Sequence, residues 1–528
     1  MIYLTLEGLN IKIDTTDRTS LVLIKNHFTY KVPECKFMPL YKSGVWDGKI
    51  CLFDTVHRKL PYGLLFDLIK VLKIGRQEIS ASDEMKLLFK DKSFNKDDIK
   101  WDLKYQPRYY QKEIIEKALL FKKGLLISPT ASGKSICIAY IINELIRKKK
   151  TKKSLIVVPT TSLIWQFYDH MIEYGIDENL IGKFYADSKD WDKPVLISTW
   201  QSLTVNNENL RKSEMRSIKK ELKKKKISEE DKEKFQNRLK ILMADDYIKN
   251  VKRLNEQRSD LLESIDTIIV DEVQIGKSKM VSELLQKCYN AHYRYGFTGT
   301  LQESILDINQ IKSYLGPIIK EYSVNELTKN GFVNPCNVNI INIQYKQSIK
   351  GKINEVKDIL FENEFRNNLL CSLIKPPQNY LFLVSRIEKE GIILEKLFKE
   401  RFPDYEVKFI NSNIPVQERE KWRLKCKNEE KIILVAIYSI FQAGVDIDTL
   451  QNVVLVSSFK SKVRILQSIG RSLRKAQTKG TSQIFDIVDR NNKYLPAHAR
   501  ERIRLYENEQ FNITYHNYKE GEVIFPIN

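Results

Sequence analysis

Cysteine is sparse in this sequence, and long apolar runs are missing. Seven cysteines are scattered over 528 residues, no two in a CxxC pair, and their number is odd. That spacing speaks against a structural zinc and against a disulfide framework, and it points to a reducing, intracellular compartment, here expected to be the cytoplasm. No apolar run reaches the roughly 18 residues needed to span a bilayer. The opening MIYLTLEGLNIKID alternates apolar and polar residues like a strand. It lacks the basic stretch and apolar core of a signal peptide. Acidic residues are also in deficit, 67 against 88 Lys and Arg, for a formal charge of +21. An excess of this size suits a polyanionic partner, because each cation placed near a phosphate releases a condensed counterion. AT-rich coding, which favours Lys, Ile and Asn, gives the same excess without any such partner.

The length is too great for one hydrophobic core and implies two to four domains. The first ~100 residues read as a small α/β module, with short strands expected at Ile11–Ile13, Ser20–Ile24 and Ile50–Phe53. A charged stretch, DKSFNKDDIKWDLKYQPR, then serves as a linker. From Tyr109 the apolar runs GLLIS, SLIVVP, PVLIST and DTIIVDE alternate with helical segments, and YLFLVS, KIILVAI, NVVLVSS and QIFDIVD form a second series. Continuous apolar strands between helices imply parallel sheets covered on both faces. The expected architecture is α/β, with domains at 1–100, 101–332 and 333–528 and a helical tail. Asn206 to Glu263 breaks the rhythm: it is dense in charge, contains the run Lys223 to Lys226, and has no Gly or Pro. It reads as an inserted helical hairpin, either a solvated charged pair or a nucleic-acid-binding arm.

Three motifs carry chemistry. SPTASGKS, Ser128 to Ser135, lies between an apolar strand and a helical run. Backbone N–H groups of Thr130, Ala131, Ser132 and Gly133 can wrap phosphates in that setting, with Lys134 reaching the β- and γ-phosphates and Ser135 on Mg²⁺. Ser128 stands where the first glycine is usual. The second motif, IIVDEVQ, ends an apolar strand in two carboxylates. Asp271 suits the Mg²⁺ shell, and Glu272 suits the attacking water. The third, QSIGRSLR, runs from Gln467 to Arg474 and puts Arg471 and Arg474 three apart on one helical face. They suit arginine fingers for a γ-phosphate, with Gln467 a further catalytic candidate. Alone, the same arginines read as a basic surface turn or as contacts to nucleic-acid phosphates.

These motifs, in this order, resemble superfamily 2 helicases, whose fold is a pair of RecA-like domains. The resemblance places an adenine-reading Q motif at Arg108-Tyr109-Tyr110-Gln111. Motif Ia falls at Pro159-Thr160-Thr161 with Gln166, and motif Ic at Ser198-Thr199-Trp200-Gln201-Ser202. Thr298-Gly299-Thr300 matches motif III, Val384-Ser385-Arg386 motif IV, and Gln442 to Ile447 motif V, with Gly444 and Asp446 toward the nucleotide. By the resemblance, motifs Ia, Ic, IV and V grip the backbone of one strand. The match narrows to the UvsW-like helicases of large tailed phages. YKSGVWDGKICLFD and KLPYGLL in the N-terminal module, PTTSLIWQ, STWQSL, KSKVRILQSIGRSLRK and the tail ERIRLYENEQFNITYH all look like that family. Two departures stand out. Gln274 replaces the usual motif II histidine, and the charged insertion has no counterpart.

The resemblance implies a monomeric, ATP- and Mg²⁺-dependent DNA helicase that remodels branched DNA by fork regression, Holliday-junction branch migration or unwinding of R-loops containing RNA. ATP would bind between the two RecA-like domains. Tyr41, Lys42, Trp46 and Lys49 interleave aromatic and basic residues as a DNA-engaging surface would, although the glycines Gly44 and Gly48 equally suit a turn around a small core. An RNA helicase, a restriction-type duplex translocase and an ATP-gated clamp without turnover remain as alternatives.

Overall fold

A computed structural model of the chain describes residues 1–129, 132–185, 188–204, 207–222, 228–274, 279–299, 304–347, 353–438, 452–457, 481–490 and 494–524. Residues 1–126, 135–297 and 304–319 form one compact unit, and residues 127–134, 298–303 and 320–528 form another. Among the described residues, no helix is long and apolar enough to cross a membrane.

The N-terminal module is a four-stranded sheet in the order β5-β2-β1-β6, built from β1 (Ile2–Glu7), β2 (Asn10–Asp14), β5 (Lys59–Pro61) and β6 (Ile79–Ala81). Alternation puts Ile2, Leu4, Ile11 and Ile13 into a core with Ile24, Leu68 and Leu72 of the two covering helices, α1 (Arg18–His27) and α2 (Leu65–Ile74), and with Phe28, the residue that ends α1. The strand expected at Ser20–Ile24 is therefore helical. Asp17 caps α1 by accepting the Thr19 and Ser20 N–H groups, and Ser20 and Ile24 are buried four residues apart. A separate hairpin of β3 (Thr29–Lys31) and β4 (Lys49–Cys51) carries the WDG stretch. Gly44 and Gly48 have φ of +73° and +78°, and Trp46 Nε1 donates to Lys49 O at 2.8 Å. These residues shape a turn.

The module is fastened to helix α9 (Ile305–Leu315) through its LPYGLL stretch. The buried Tyr62 hydroxyl donates to Tyr314 O, Lys312 pairs with Asp67, and Asn309 Nδ2 donates to Tyr30 OH at 2.8 Å. A Cβ on Gly63 would lie 1.7 Å from Lys312 O, so the two backbones touch there. The fully buried Arg294 donates to the carbonyls of Ala291, Leu285, Cys288 and Tyr314, tying the same corner together.

The second sheet has the order β10-β9-β11-β8-β12-β13-β7-β14. Its members are β7 (Lys123–Ile127), β8 (Ser154–Val158), β9 (Ile181–Tyr185), β10 (Ser188–Lys189), β11 (Val195–Thr199), β12 (Thr267–Val270), β13 (Tyr293–Thr298) and β14 (Ile318–Glu321). β9, β11, β8, β12 and β13 run parallel, and β10 turns back antiparallel at the edge. Every residue of β8, β11 and β12 is buried, as expected of strands covered on both faces. Helices α3 (Tyr109–Leu120), α4 (Lys134–Arg147) and α5 (Thr161–Glu173) lead into or out of these strands. The charged insertion forms three helices rather than a hairpin: α6 (Asn207–Glu221), α7 (Glu229–Met243) and α8 (Asp245–Ser264). Ala244, in extended conformation, breaks what otherwise reads as one long helix.

The third sheet, β17-β18-β16-β19-β20-β15-β21, is parallel throughout. It comprises β15 (Cys336–Gln344), β16 (Tyr380–Val384), β17 (Glu406–Ile410), β18 (Ile432–Ile437), β19 (Asn452–Leu455), β20 (Ser482–Asp489) and β21 (Asn512–Lys519). Its helices include α10 (Ile353–Glu362), α11 (Glu364–Ser372), α12 (Ile392–Arg401) and α13 (Leu495–Asn508). Two buried ion pairs brace the unit, Arg366 with Asp489 and Arg502 with Asp486, each joined by a tyrosine hydroxyl, Tyr345 or Tyr506. The tail is not wholly helical, because β21 adds to the sheet beside β15. Asparagines pair side by side across that seam, Asn512 with Asn337 at 3.0 Å and Asn517 with Asn342 at 2.9 Å.

Candidate nucleotide and nucleic-acid site

The phosphate loop leaves β7, and the acid pair leaves β12 of the same sheet. Ser128 is fully buried, and its N–H donates to Thr298 O at 2.9 Å, which joins the loop to motif III. Ser128 does not adopt a positive φ, so the position tolerates a side chain where glycine is usual. Gly133, at φ +76°, does need glycine. Ser132 N–H donates to Pro129 O, and α4 begins at Lys134, which is 8 % exposed. A helix N-terminus following a left-handed glycine is the local geometry of an anion cradle. Thr130 and Ala131 lie outside the described residues.

Asp271 is 7 % exposed, and its N–H donates to Val157 O at 2.9 Å, which ends the β8–β12 ladder. Glu272 has φ +49°, a left-handed conformation that costs a non-glycine residue on the order of 1 kcal/mol or more. Its Oε2 accepts from Gln274 Nε2 at 2.5 Å, and Gln274 is 1 % exposed. The residues present fit a magnesium nucleotide. A buried carboxylate and a serine hydroxyl are hard oxygen donors, and Ser128 Oγ is a buried polar atom with no hydrogen-bond partner among the described residues. Ser135 Oγ lies 2.9 Å from Tyr174 OH. A hydroxyl that donates to Tyr174 keeps its lone pairs for a cation.

The Q motif begins α3. Gln111 is 5 % exposed, and its Oε1 accepts the Arg108 N–H at 2.8 Å, so the amide caps the helix it starts. Tyr110 OH receives Arg108 Nη1 at 3.3 Å, and burial raises its phenol above the usual value, keeping it neutral. Tyr109 is the exposed aromatic of the group, at 51 %.

The expected strand-gripping residues divide into two sets. In motif Ia, Pro159 follows β8, Thr160 is the cap residue of α5, and Thr161 is exposed at its first turn. Gln166 is half-buried on the same helix. In motif Ic, Thr199 Oγ1 accepts Ser202 N–H at 3.2 Å and so starts the short helix Trp200–Thr204, with Gln201 exposed. Motif IV is already engaged in the second unit. The buried Glu390 carboxylate accepts Ser385 N–H at 2.7 Å, Ser385 Oγ at 2.9 Å and Arg386 N–H at 3.0 Å, and also the Ser457 hydroxyl. Arg386 pairs with Asp358 of α10. Gln442, Gly444, Asp446, Gln467, Arg471 and Arg474 lie outside the described residues.

Several residues around these motifs escaped the sequence reading. Tyr174 lies 39 positions from Ser135, and Glu390 sits in a π-turn five residues past Ser385. Neither has a local signature. Trp165 had one: it stands four residues after Thr161, hence on the same helix face. It is 48 % exposed, and Lys183 Nζ lies 4.5 Å from its ring.

Comparison with known proteins gives matches along most of the chain. Residues 104–303 match the family model described as type III restriction enzyme, res subunit, and residues 365–476 that of the helicase conserved C-terminal domain. Residues 9–82 match the model described as DNA helicase UvsW, N-terminal. The ATP-dependent DNA helicase uvsW of Enterobacteria phage T4 is 24 % identical over 95 % of this chain and 96 % of its own. The crystal structure of T4 UvsW covers 98 % of this chain and 99 % of its own at 20 % identity, with a TM-score of 0.46. A fragment assigned as the HsdR subunit of a Vibrio vulnificus type I restriction enzyme is 17 % identical over 89 % of this chain and 78 % of its own, with a TM-score of 0.55, a likeness of fold. The two large sheets are thus tandem RecA-like domains behind a small α/β domain, and the chain is an ATP-dependent helicase of superfamily 2. The N-terminal match and the length of the phage alignment place it further within that class. It is a UvsW-like helicase.

Proposed function

We propose that the chain is a DNA helicase that remodels branched DNA, by fork regression, Holliday-junction branch migration and R-loop unwinding, as a monomer in the cytoplasm of an infected cell. The observation that carries this reading is that a left-handed Gly133 precedes Lys134 at the start of α4 and that β12 ends in the tight Asp271-Glu272 turn. The relative named a DNA helicase, aligned over nearly the whole length, supports the choice of substrate. The charge of +21 agrees with it.

In this reading Lys134 holds the β- and γ-phosphates, and the N–H groups of Thr130 to Gly133 surround them. Ser135 and Asp271 hold Mg²⁺, which neutralises phosphate charge. Glu272 orients the attacking water and takes its proton. Arg471 and Arg474 of the second RecA-like domain serve the γ-phosphate, with Gln467 beside them, and Asp446 and Gly444 face the nucleotide. Gln111 and Arg108 form the adenine end. Pro159, Thr160, Thr161, Gln166, Thr199, Trp200, Gln201, Ser385, Arg386 and Gln442 line the strand path. Branch migration suits a small motor: each base-pair step opened costs about 1.4 kcal/mol, and re-pairing returns it.

The test is ATP turnover by the full chain and by Glu272→Gln, with forked DNA, Holliday junctions, matched RNA and no ligand. Stimulation by branched DNA that Glu272→Gln abolishes supports the proposal. Equal or greater stimulation by RNA moves the chain to the RNA helicases, and no turnover with any ligand leaves a nucleotide-gated clamp.

A further inference from the structure

Gln274, the last residue of the IIVDEVQ motif, lies against the acid pair. Its amide Nε2 lies 2.5 Å from Glu272 Oε2, inside a site where Gln274 itself is 1 % exposed. Side chains two apart in an extended chain point the same way but lie far apart. They meet here because Glu272 takes φ +49°, which folds the backbone back on itself directly after β12.

The consequence for the carboxylate is specific. A carboxylate has two oxygens and rotates about its last bond unless something holds it. One N–H donor from a buried, neutral amide fixes one oxygen and aims the other. Glutamine does this without adding charge beside a phosphate site, which a lysine or arginine would not. We propose that Gln274 is a positioning residue for Glu272: it holds Oε2 so that Oε1 faces the attacking water. The assignment rests on the reading of Glu272 as the group that activates that water.

The experiment uses the full chain with Gln274→Leu, Gln274→Asn and Gln274→His, and Glu272→Gln as reference. Turnover is measured with and without forked DNA, together with KM for ATP, binding of a fluorescent non-hydrolysable ATP analogue, and thermal melting. Leucine keeps the bulk and removes the donor, asparagine keeps the amide and loses its reach, and histidine returns a ring N–H. Gln274→Leu is expected to lower kcat about ten- to a hundredfold, the scale of a catalytic group misplaced by about 1 Å. KM and analogue affinity should stay within about twofold, because Gln274 is assigned no contact with the nucleotide. Gln274→Asn should behave like leucine and is the variant to read if leucine does not fold. Gln274→His should recover much of the loss.

An unchanged kcat in Gln274→Leu and Gln274→Asn overturns the proposal. So does loss confined to DNA-stimulated turnover with basal kcat intact, which would make Gln274 a coupling residue. A fall in analogue binding and melting that matches the fall in kcat also overturns it, in favour of a purely structural role. If Glu272→Gln turns over ATP like the wild type, the reading of Glu272 fails on its own, whatever the Gln274 variants do.

Discussion

Gly63→Ala tests whether the N-terminal module is built into the first RecA-like domain or merely tethered to it. The added Cβ would sit 1.7 Å from Lys312 O and 2.7 Å from Lys312 C, both backbone atoms within α9. A helix backbone cannot rotate out of the way as a side chain can, so the contact must open by at least about 1.3 Å to reach 3.0 Å, at about 1–3 kcal/mol for overpacking. Opening it also strains the bond from Tyr62 OH to Tyr314 O and the Lys312–Asp67 pair. The buried Tyr62 hydroxyl, left without its acceptor, adds about 1–3 kcal/mol. The sum is about 2–6 kcal/mol, which at roughly 2–4 °C per kcal/mol lowers the melting temperature by roughly 4–24 °C. Scanning calorimetry measures the shift, and limited proteolysis reports release of the module. Tyr62→Phe serves as the smaller control, losing about 1–2 kcal/mol with no clash. A Gly63→Ala protein melting within about 2 °C of the wild type, with the module still protected, would refute the close packing.

Two further outcomes follow from buried charge. Burial and the nearby Arg294 push Lys123 down to about 7 from its usual 10.5, while its ammonium lies 4.5 Å from the Tyr62 ring centroid. The unfolded chain binds more protons at this site between those values, so its contribution to stability rises with pH through that window and its cost is full below pH 7. Lys123→Met should therefore stabilise the protein most at low pH, by up to about 5 kcal/mol at pH 6.5, and least near pH 10, measured by urea unfolding across pH. Arg366→Met strands the Asp489 carboxylate, which Arg366 meets at 3.1 Å with both side chains almost fully buried. It should cost about 3–5 kcal/mol alone and less when combined with Asp489→Leu, a non-additivity read from the double-mutant cycle.

The strands of both RecA-like domains were legible because runs such as TIIV and YLFLV are apolar on both faces and are bounded by turn residues. The three ATPase motifs were legible because phosphate chemistry demands particular residues in fixed order. Ser20–Ile24 misled because β-branched and apolar residues there fit a strand, while the Asp17 cap that decides for a helix lies outside the run. The tail misled in the opposite direction. Asparagine is a poor strand former, yet NITYHNYK pairs with β15 because its asparagines meet asparagines there. Gln111 reads as a base-recognition residue in sequence, and folding also gives its amide a capping duty. Gln274 and Glu390 carry their partners through backbone turns that no spacing rule encodes.

The seam between β15 and β21 bears on how the chain is made. β15 is flanked by β20 and β21, and its Asn337 meets Asn512 across 175 positions of sequence. At ordinary elongation rates of about 5–20 residues per second, β15 has emerged roughly 10–35 s before its second neighbour exists. During that wait an unpaired hydrophobic strand is a template for aggregation. β15 reads CNVNIINIQ, with asparagines spaced among its isoleucines. The asparagines that later zip the sheet together can ladder equally well with those of another nascent chain, so β15 stays open to mispairing until Asn512 and Asn517 arrive.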